Sequence, residues 1–323
     1  IGPVADLQPA LYYGHAALGE VAADKLGGLA PGHHVDKIGG ALAGGLILKI
    51  PVNGQGEGGH RSAGLGTPKL RVTGQTTHEE DLVEHLKETG VLNDVSFEAY
   101  GGQILGFAGL VGAGRTETMR AIFGADPIDG GTITIKGKQA HIKTPRQAIQ
   151  HGIAFLTEDR KGQGLVLAQS IRTNLILANM KGFSTGLFLN EKKIEDVGQN
   201  NIASLRIKTP SIDEIVGQLS GGNQQKVVIG KWVNTDAEIF IFDEPTRGID
   251  VGAKVEVYNV MNSLVKQGKC VIMVSSEMPE ILGMSDRVIV MRGGEVMATV
   301  DRDSEHFNQE DLMKAAWGGK LDD

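Results

Sequence analysis

The chain has 323 residues, which is long enough to bury one large hydrophobic core or two ordinary ones. Its hydrophobic content of 41% is typical of a globular protein, and a net charge of −7 without a basic stripe argues against a dedicated nucleic-acid binder. A single cysteine, Cys270, excludes an intrachain disulfide or a cysteine metal site. No run of about 18 apolar residues occurs, so the sequence predicts no membrane-spanning helix.

The first 68 residues differ in composition from the remainder. They contain 16 of the 46 glycines of the chain and show neither a helical nor a strand period. Glycine-rich segments of this kind lose much entropy on ordering. We therefore expect residues 1–68 to be a linker, a sequence added for expression or a poorly ordered arm, and residues 69–323 to form the functional domain.

From residue 69 onward, short apolar strands alternate with helical patterns. An apolar strand predicted at Ile104–Leu110 leads into a glycine-rich loop, which a helix at Thr116–Phe123 follows. The alternating segment GTITIKGKQA (131–140) predicts one antiparallel strand, and Thr144 before Pro145 is typical of a helix start. Further strands are predicted at Ile153–Leu156, Ile239–Phe242, Cys270–Val274 and Val288–Met291, with a mostly helical insert at about 165–232. This alternation indicates an α/β fold whose mainly parallel sheet is covered on both faces.

The loop GLVGAGRT (109–116) has the spacing of a phosphate-binding loop, but Arg115 stands where such loops carry lysine. Glycines in such a loop let backbone N–H groups converge on phosphate oxygens at a helix N-terminus, and Thr116 is placed to bind Mg²⁺. Alone, the match with one departure is a weak signal, and an ordinary strand-to-helix turn is the better interpretation of it. The candidate nucleotide-binding residues are Gly109, Gly112, Ala113, Gly114, Arg115, Thr116 and Glu117.

Two later segments make the phosphate loop more significant. In IFIFDEP (239–245), an apolar strand ends in two acids, which is where a nucleotide site needs a magnesium ligand, Asp243, and a base for the attacking water, Glu244. In QLSGGNQQKVVIGKWV (218–233), Ser220, Gly221 and Gly222 precede a helix and offer a second anion-binding N-terminus. The alternative interpretations are a surface turn for the acids and a serine-capped flexible turn for the glycines.

The order of these three motifs resembles the nucleotide-binding domain of ABC transporters, whose signature motif is LSGG. More narrowly, the sequences of these motifs and the segments around them are similar to those of the second cassette of bacterial monosaccharide importer ATPases of the ribose, galactose, xylose and arabinose type. This resemblance implies a P-loop NTPase (RecA-like) core with a mainly parallel sheet, an antiparallel β subdomain and a helical subdomain. The segments that carry it are GAGRTE, TEDRKGQGL (157–165), LSGGNQQKV, DEPTRGIDVGAK (243–254) and VSSEMPEILGMSDRV (274–288).

The resemblance also implies roles, cofactors and partners. Glu158 stands at the position of the Q-loop glutamine, Ser276 at that of the switch histidine, and Asp250 in the D-loop, which is Gly248-Ile249-Asp250. The implied cofactors are ATP and Mg²⁺. The implied partners are another cassette paired head to tail, membrane-spanning permease subunits and, indirectly, a periplasmic or lipoprotein sugar-binding protein, at the cytoplasmic face of the membrane and without nucleic acid.

Three departures from the family pattern predict unequal sites in such a pair. Arg115, Glu158 and Ser276 replace groups that would contact the terminal phosphate. We therefore expect the site on this chain's own loop to hold nucleotide but to hydrolyse it weakly. Ser220, Gly221 and Gly222 should complete a competent site with the other cassette's loop. The role of Glu244 in a weakly hydrolytic site stays open at this stage.

Two other functions are compatible with the motifs. A non-catalytic, nucleotide-gated interaction module is favoured by the three departures and disfavoured by the intact Asp243 and Glu244. An ABC-type ATPase of DNA maintenance would share the loop, the signature motif and the acids. The negative net charge, the lack of coiled-coil heptads and the lack of zinc-binding cysteines count against it.

Overall fold

A computed structural model describes residues 80–186 and 188–321. The predictions for residues 1–68 lie outside the described residues. The strands are β1 (Glu80–Glu88), β2 (Leu92–Tyr100), β3 (Ile104–Gly109), β4 (Gly130–Ile135), β5 (Lys138–Ala140), β6 (Ile153–Leu156), β7 (Ser184–Thr185), β8 (Phe188–Leu189), β9 (Ile239–Asp243), β10 (Cys270–Val274), β11 (Arg287–Arg292) and β12 (Glu295–Asp301). The helices are α1 (Arg115–Ile122), α2 (Pro145–Gln150), α3 (Ile171–Ile176), α4 (Glu191–Ser204), α5 (Gly221–Val233), α6 (Val251–Lys266), α7 (Met278–Met284) and α8 (Gln309–Ala316).

The larger sheet has the strand order β12-β11-β3-β10-β9-β6. All neighbouring pairs are parallel except β11 and β12. Its interior strands β9 and β10 are buried at every residue, as expected of apolar strands covered on both faces. Cys270, the first residue of β10, is among these buried residues. The predicted α/β class with a mainly parallel sheet is confirmed.

The strand order brings separate parts of the sequence to one edge of this sheet. β10 lies between β3 and β9, and the three run parallel. Their carboxyl ends are therefore adjacent: the glycine loop follows β3, Asp243 ends β9, and Ser275 follows β10. In open parallel sheets, ligands bind at this edge.

The smaller sheet is antiparallel, with the order β2-β1-β4-β5. The prediction of one strand over residues 131–140 is wrong, because a turn divides the segment into β4 and β5, which pair with each other. Lys136 and Gly137 form this turn with φ of 51° and 69°, the left-handed backbone that a tight hairpin turn requires. The predicted antiparallel β subdomain is present.

Between residues 165 and 232 the chain is mostly helical, with α3 packed on α4 and α5. The short strands β7 and β8 also occur there as an exposed antiparallel pair. Near the carboxyl end, α8 buries Leu312, Ala315 and Ala316 against the domain, as expected for the amphipathic pattern of that segment. No helix among residues 80–186 and 188–321 is long and apolar enough to cross a membrane.

Candidate functional site

The glycine loop between β3 and α1 has a backbone that only glycine adopts readily. Gly109, Gly112 and Gly114 have φ of 152°, 77° and 95°. A Cβ on Gly109 would lie 2.4 Å from the carbonyl oxygen of Met291, and one on Gly114 would lie 3.0 Å from Cα of Gly294. The loop therefore passes close to the turn after β11, and its tip at Val111 is exposed. The N–H groups at the start of α1 are available to an anion.

A magnesium-type ligand pair lies beneath this loop. The Thr116 hydroxyl donates a hydrogen bond of 3.1 Å to Oδ1 of Asp243, and the other carboxylate oxygen of Asp243 is buried without a hydrogen-bond partner among the described residues. Burial raises the pKa of Asp243 to about 6, because the charged carboxylate is withdrawn from water. A hydroxyl and a carboxylate with an unused oxygen are the hard oxygen ligands that Mg²⁺ prefers, so these residues fit the ion.

Glu244 follows Asp243 in a left-handed backbone conformation with φ of 47°. Its N–H donates to the carbonyl of Val274, which fixes the turn against the end of β10. The carboxylate accepts a hydrogen bond of 3.1 Å from the Ser276 hydroxyl and lies 3.8 Å from Nη2 of Arg115. Glu244 therefore contacts two of the three residues that depart from the family pattern.

Arg115 points toward the ends of β9 and β10. Its Nη1 donates a hydrogen bond of 2.6 Å to the backbone carbonyl of Ser275, and its side chain is only 9% exposed. Burial lowers the pKa of this guanidinium, and the neighbouring carboxylates of Glu244 and Asp243 oppose that effect. The cation is thus held by protein groups on two sides.

Arg115, Thr116 and Glu244 line a cleft of about 390 Å³, within the range of small-molecule sites. Glu158 lies in its wall and forms an ion pair with Arg247. Sequence reasoning missed Arg247 and Glu277 as lining residues, although both stand a few positions from recognised motif residues. The lining residues are Val111, Gly112, Ala113, Gly114, Arg115, Thr116, Glu117, Glu158, Glu244, Arg247, Ser276 and Glu277.

The signature motif and the D-loop form a second group, which does not line the cleft. Ser220 caps α5, and its hydroxyl accepts a hydrogen bond from the N–H of Asn223. Asp250 caps α6 in the same way through the N–H of Ala253. A Cβ on Gly222 would lie 2.8 Å from Cβ of Ala253, so the two helix starts pack closely. The structure thus separates the predicted site residues into two sets.

A buried carboxylate that the sequence analysis did not recognise lies behind the cleft. The Glu280 carboxylate accepts hydrogen bonds from Thr246, Tyr258 and Ser275, at 2.5, 2.6 and 2.8 Å, and an ion pair from Lys254 at 3.1 Å. Burial raises the pKa of Glu280, but these hydrogen bonds outweigh it and lower the pKa overall. The carboxylate connects the turn after Asp243 with the segment after β10.

A glycine loop before a helix, with a threonine hydroxyl facing a carboxylate at the end of a parallel strand, defines a P-loop nucleotide-binding domain. Residues 92–247 match the sequence model described as ABC transporter. The chain therefore contains an ABC transporter ATP-binding domain, and the resemblance inferred from the motifs is confirmed at that level.

Curated relatives are about half identical to this chain. It is 51% identical over 260 residues to the ribose import ATP-binding protein RbsA of Geobacillus kaustophilus. The aligned region covers 80% of this chain and 52% of the relative. It is 49% identical over 237 residues to a putative ribose/galactose/methyl galactoside import ATP-binding protein of Rhizobium etli, covering 73% of this chain and 45% of the relative. The chain thus spans about half the length of the curated relatives it matches.

Solved structures support the fold assignment. The ADP conformation of MJ1267, an ATP-binding cassette of an ABC transporter, matches with a TM-score of 0.60 and 20% identity, over 75% of this chain and 96% of that one. A dimeric ABC transporter cassette, MJ0796, matches with a TM-score of 0.60 and 18% identity, over 70% of this chain and 99% of that one. The predicted P-loop NTPase fold is confirmed.

Proposed function

We propose that this chain is an ATP-binding cassette of a bacterial sugar importer, which couples ATP binding and hydrolysis to monosaccharide uptake. The observation that carries the proposal is the arrangement of the glycine loop over the Thr116–Asp243 pair, at the edge of the parallel sheet. The relatives named as ribose or galactose import ATP-binding proteins supply the substrate class.

In this proposal, the loop from Gly109 to Glu117 binds the phosphates of ATP. Thr116 and Asp243 would hold Mg²⁺, which neutralises charge on the phosphates. The unpartnered oxygen of Asp243 supports this role. Glu244, Ser276 and Glu158 line the same cleft, and in this proposal they would contact the terminal phosphate.

The partners follow from the same reasoning. Ser220, Gly221, Gly222 and Asp250 lie outside the cleft lining, so in this proposal they complete the site of another cassette paired head to tail. The dimeric cassette among the structural neighbours is consistent with such a pair. Permease subunits would anchor it at the cytoplasmic face of the membrane, and a sugar-binding protein would act through them.

The site on this chain's own loop should hydrolyse ATP weakly, because the buried Arg115 is bound to Ser275 and Glu244. The same contacts favour a second candidate function, a nucleotide-gated module that binds but does not hydrolyse. In both cases nucleotide binding is the first property to establish.

Binding is tested with a fluorescent ATP analogue titrated into the chain with Mg²⁺ and with a chelator. We expect saturable binding that Mg²⁺ strengthens in the wild type but not in Asp243→Asn. Glu256→Gln is the control, because its carboxylate also pairs with a buried cation, Lys226, but lies away from the cleft. A wild-type chain that binds no nucleotide would overturn the proposal.

Hydrolysis separates the two candidates. ATPase activity is measured for the chain alone and mixed with a cassette whose phosphate loop carries lysine. If this chain is an importer cassette, the ATPase activity of the mixture should exceed the sum of the two separate activities. Ser220→Asp in this chain should abolish that increase, because it keeps a helix-capping oxygen but adds negative charge where phosphate would bind. A mixture no more active than its parts would favour the non-catalytic module.

A further inference from the structure

The cleft contains more acidic than basic side chains. Its basic groups are Arg115 and Arg247, and its acidic groups are Glu117, Glu158, Glu244 and Glu277. Asp243 lies beneath the floor as a fifth carboxylate. Glu277 is paired with Lys254 at 2.7 Å, and the remaining carboxylates still outnumber the two arginines, so a phosphate chain entering this cleft encounters an excess of negative charge.

Both arginines of the cleft are bound to other protein groups. Arg115 gives Nη1 to the carbonyl of Ser275 and lies with Nη2 at 3.8 Å from Glu244. Arg247 is paired with Glu158. In a phosphate loop, the cation at the position of Arg115 ordinarily reaches the second and third phosphates. Here that charge is bound to protein groups instead.

The remaining ligand contacts suit a shorter phosphate chain. Backbone N–H groups of the loop, the N-terminus of α1 and a magnesium ion on Thr116 and Asp243 can together hold two phosphates. A third phosphate would extend toward Glu244, Ser276 and Glu158, where the wall carries two carboxylates and the Ser276 hydroxyl already donates its hydrogen bond to Glu244. Like charges placed together disfavour binding.

We propose that the cleft on this chain's own loop prefers a nucleoside diphosphate to a nucleoside triphosphate. This inference rests on the proposed function, since it concerns the same cleft. It assigns Glu158 and Arg247 as the specificity-determining pair. The site would then retain the diphosphate while the signature motif serves the other cassette's ATP.

The preference is measured by displacing a fluorescent ADP analogue from the full chain with unlabelled ADP and ATP at saturating Mg²⁺. We expect ADP to bind about tenfold more tightly than ATP. Glu158→Gln removes a carboxylate and releases Arg247, so it should bring the two affinities to within about twofold. Arg247→Gln leaves Glu158 unpaired and should increase the ADP preference.

Glu256→Gln is the matched control, because it removes a carboxylate paired at 2.5 Å with Lys226 outside the cleft, and it should keep the wild-type ratio. Equal or tighter binding of ATP by the wild type would overturn the inference, as would a ratio that neither Glu158→Gln nor Arg247→Gln changes. Either result leaves the proposed function standing. A wild type that binds neither nucleotide would overturn both.

Discussion

Gly114 shows how one residue controls the phosphate loop. It is the N-cap residue of α1 with φ of 95°, and an added Cβ would lie 3.0 Å from the backbone of Gly294. Gly114→Ala should therefore lower the free energy of unfolding by about 1–3 kcal/mol and weaken nucleotide binding. Urea unfolding and nucleotide titration measure the two effects. Gly130→Ala, where a Cβ would meet no atom within 4 Å, should leave both nearly unchanged. Equal effects at the two positions would contradict this account.

Asp243 should make stability depend on pH. Burial raises its pKa from an ordinary 3.8 to about 6, so the folded chain binds a proton more tightly than the unfolded chain does. The resulting stabilisation is fully present below pH 3.8 and is lost as pH rises through 6. Over that window, the wild type should lose at most about 3 kcal/mol relative to Asp243→Asn. Mg²⁺ should offset this loss, because it binds the charged carboxylate.

Urea unfolding of the wild type and Asp243→Asn between pH 4 and 7, with and without Mg²⁺, checks this expectation. Comparing the two proteins cancels the other titrating groups. A difference in unfolding free energy that stays constant across this range would show that Asp243 has an ordinary pKa in the folded chain.

Glu244 is the charge partner of the buried Arg115, which gives it a structural role separate from catalysis. Glu244→Gln should lower the free energy of unfolding by about 1–3 kcal/mol, because it leaves Arg115 less compensated. Arg115→Met should recover part of that loss in the double variant. A double-mutant cycle in urea measures the coupling. Additive effects would mean that the two charges act independently, despite the 3.8 Å between them.

At the scale of secondary structure, Glu280 on α7 connects three other parts of the fold. Its carboxylate accepts from Tyr258 on α6, from Ser275 after β10 and from Thr246 after β9. Glu280→Gln should lower the free energy of unfolding by about 2–4 kcal/mol, because it removes a buried charge that all of these donors face.

Glu277→Gln is the comparison for Glu280→Gln in thermal or urea unfolding. Glu277 also pairs with Lys254, but its side chain is 53% exposed, so its replacement should cost less than about 1 kcal/mol. Similar losses for the two variants would show that the buried contacts of Glu280 contribute little.

Across the whole molecule, the sequence predicted the parts whose signal is local. The apolar strands β6, β9 and β10 were found within about one residue of their bounds, because burial on both faces requires a continuous apolar run. The glycine loop and Asp243 were found because their chemistry fixes their spacing. The antiparallel β1 was not predicted, since two register shifts interrupt its alternation and His85 has φ of 52°.

The contacts that the sequence could not predict join residues far apart in the chain. Glu158 and Arg247 are charged residues in two surface loops, and only the order of strands β6 and β9 brings them together. The same holds for Arg115 and the carbonyl of Ser275, which belong to loops after β3 and β10. The sequence predicted most of the residues that line the cleft, but it missed Arg247 and Glu277 and did not predict how the charges compensate one another.

Cys270 is buried at the start of the interior strand β10, and this position makes it a reporter of opening of the parallel sheet. Burial raises the pKa of its thiol and also blocks access of reagents. Because the sequence contains one cysteine, every modification event can be assigned to this strand. The rate at which a thiol reagent labels the folded chain therefore reports how often β10 opens. A nucleotide bound at the ends of the neighbouring strands should stabilise them and slow the labelling.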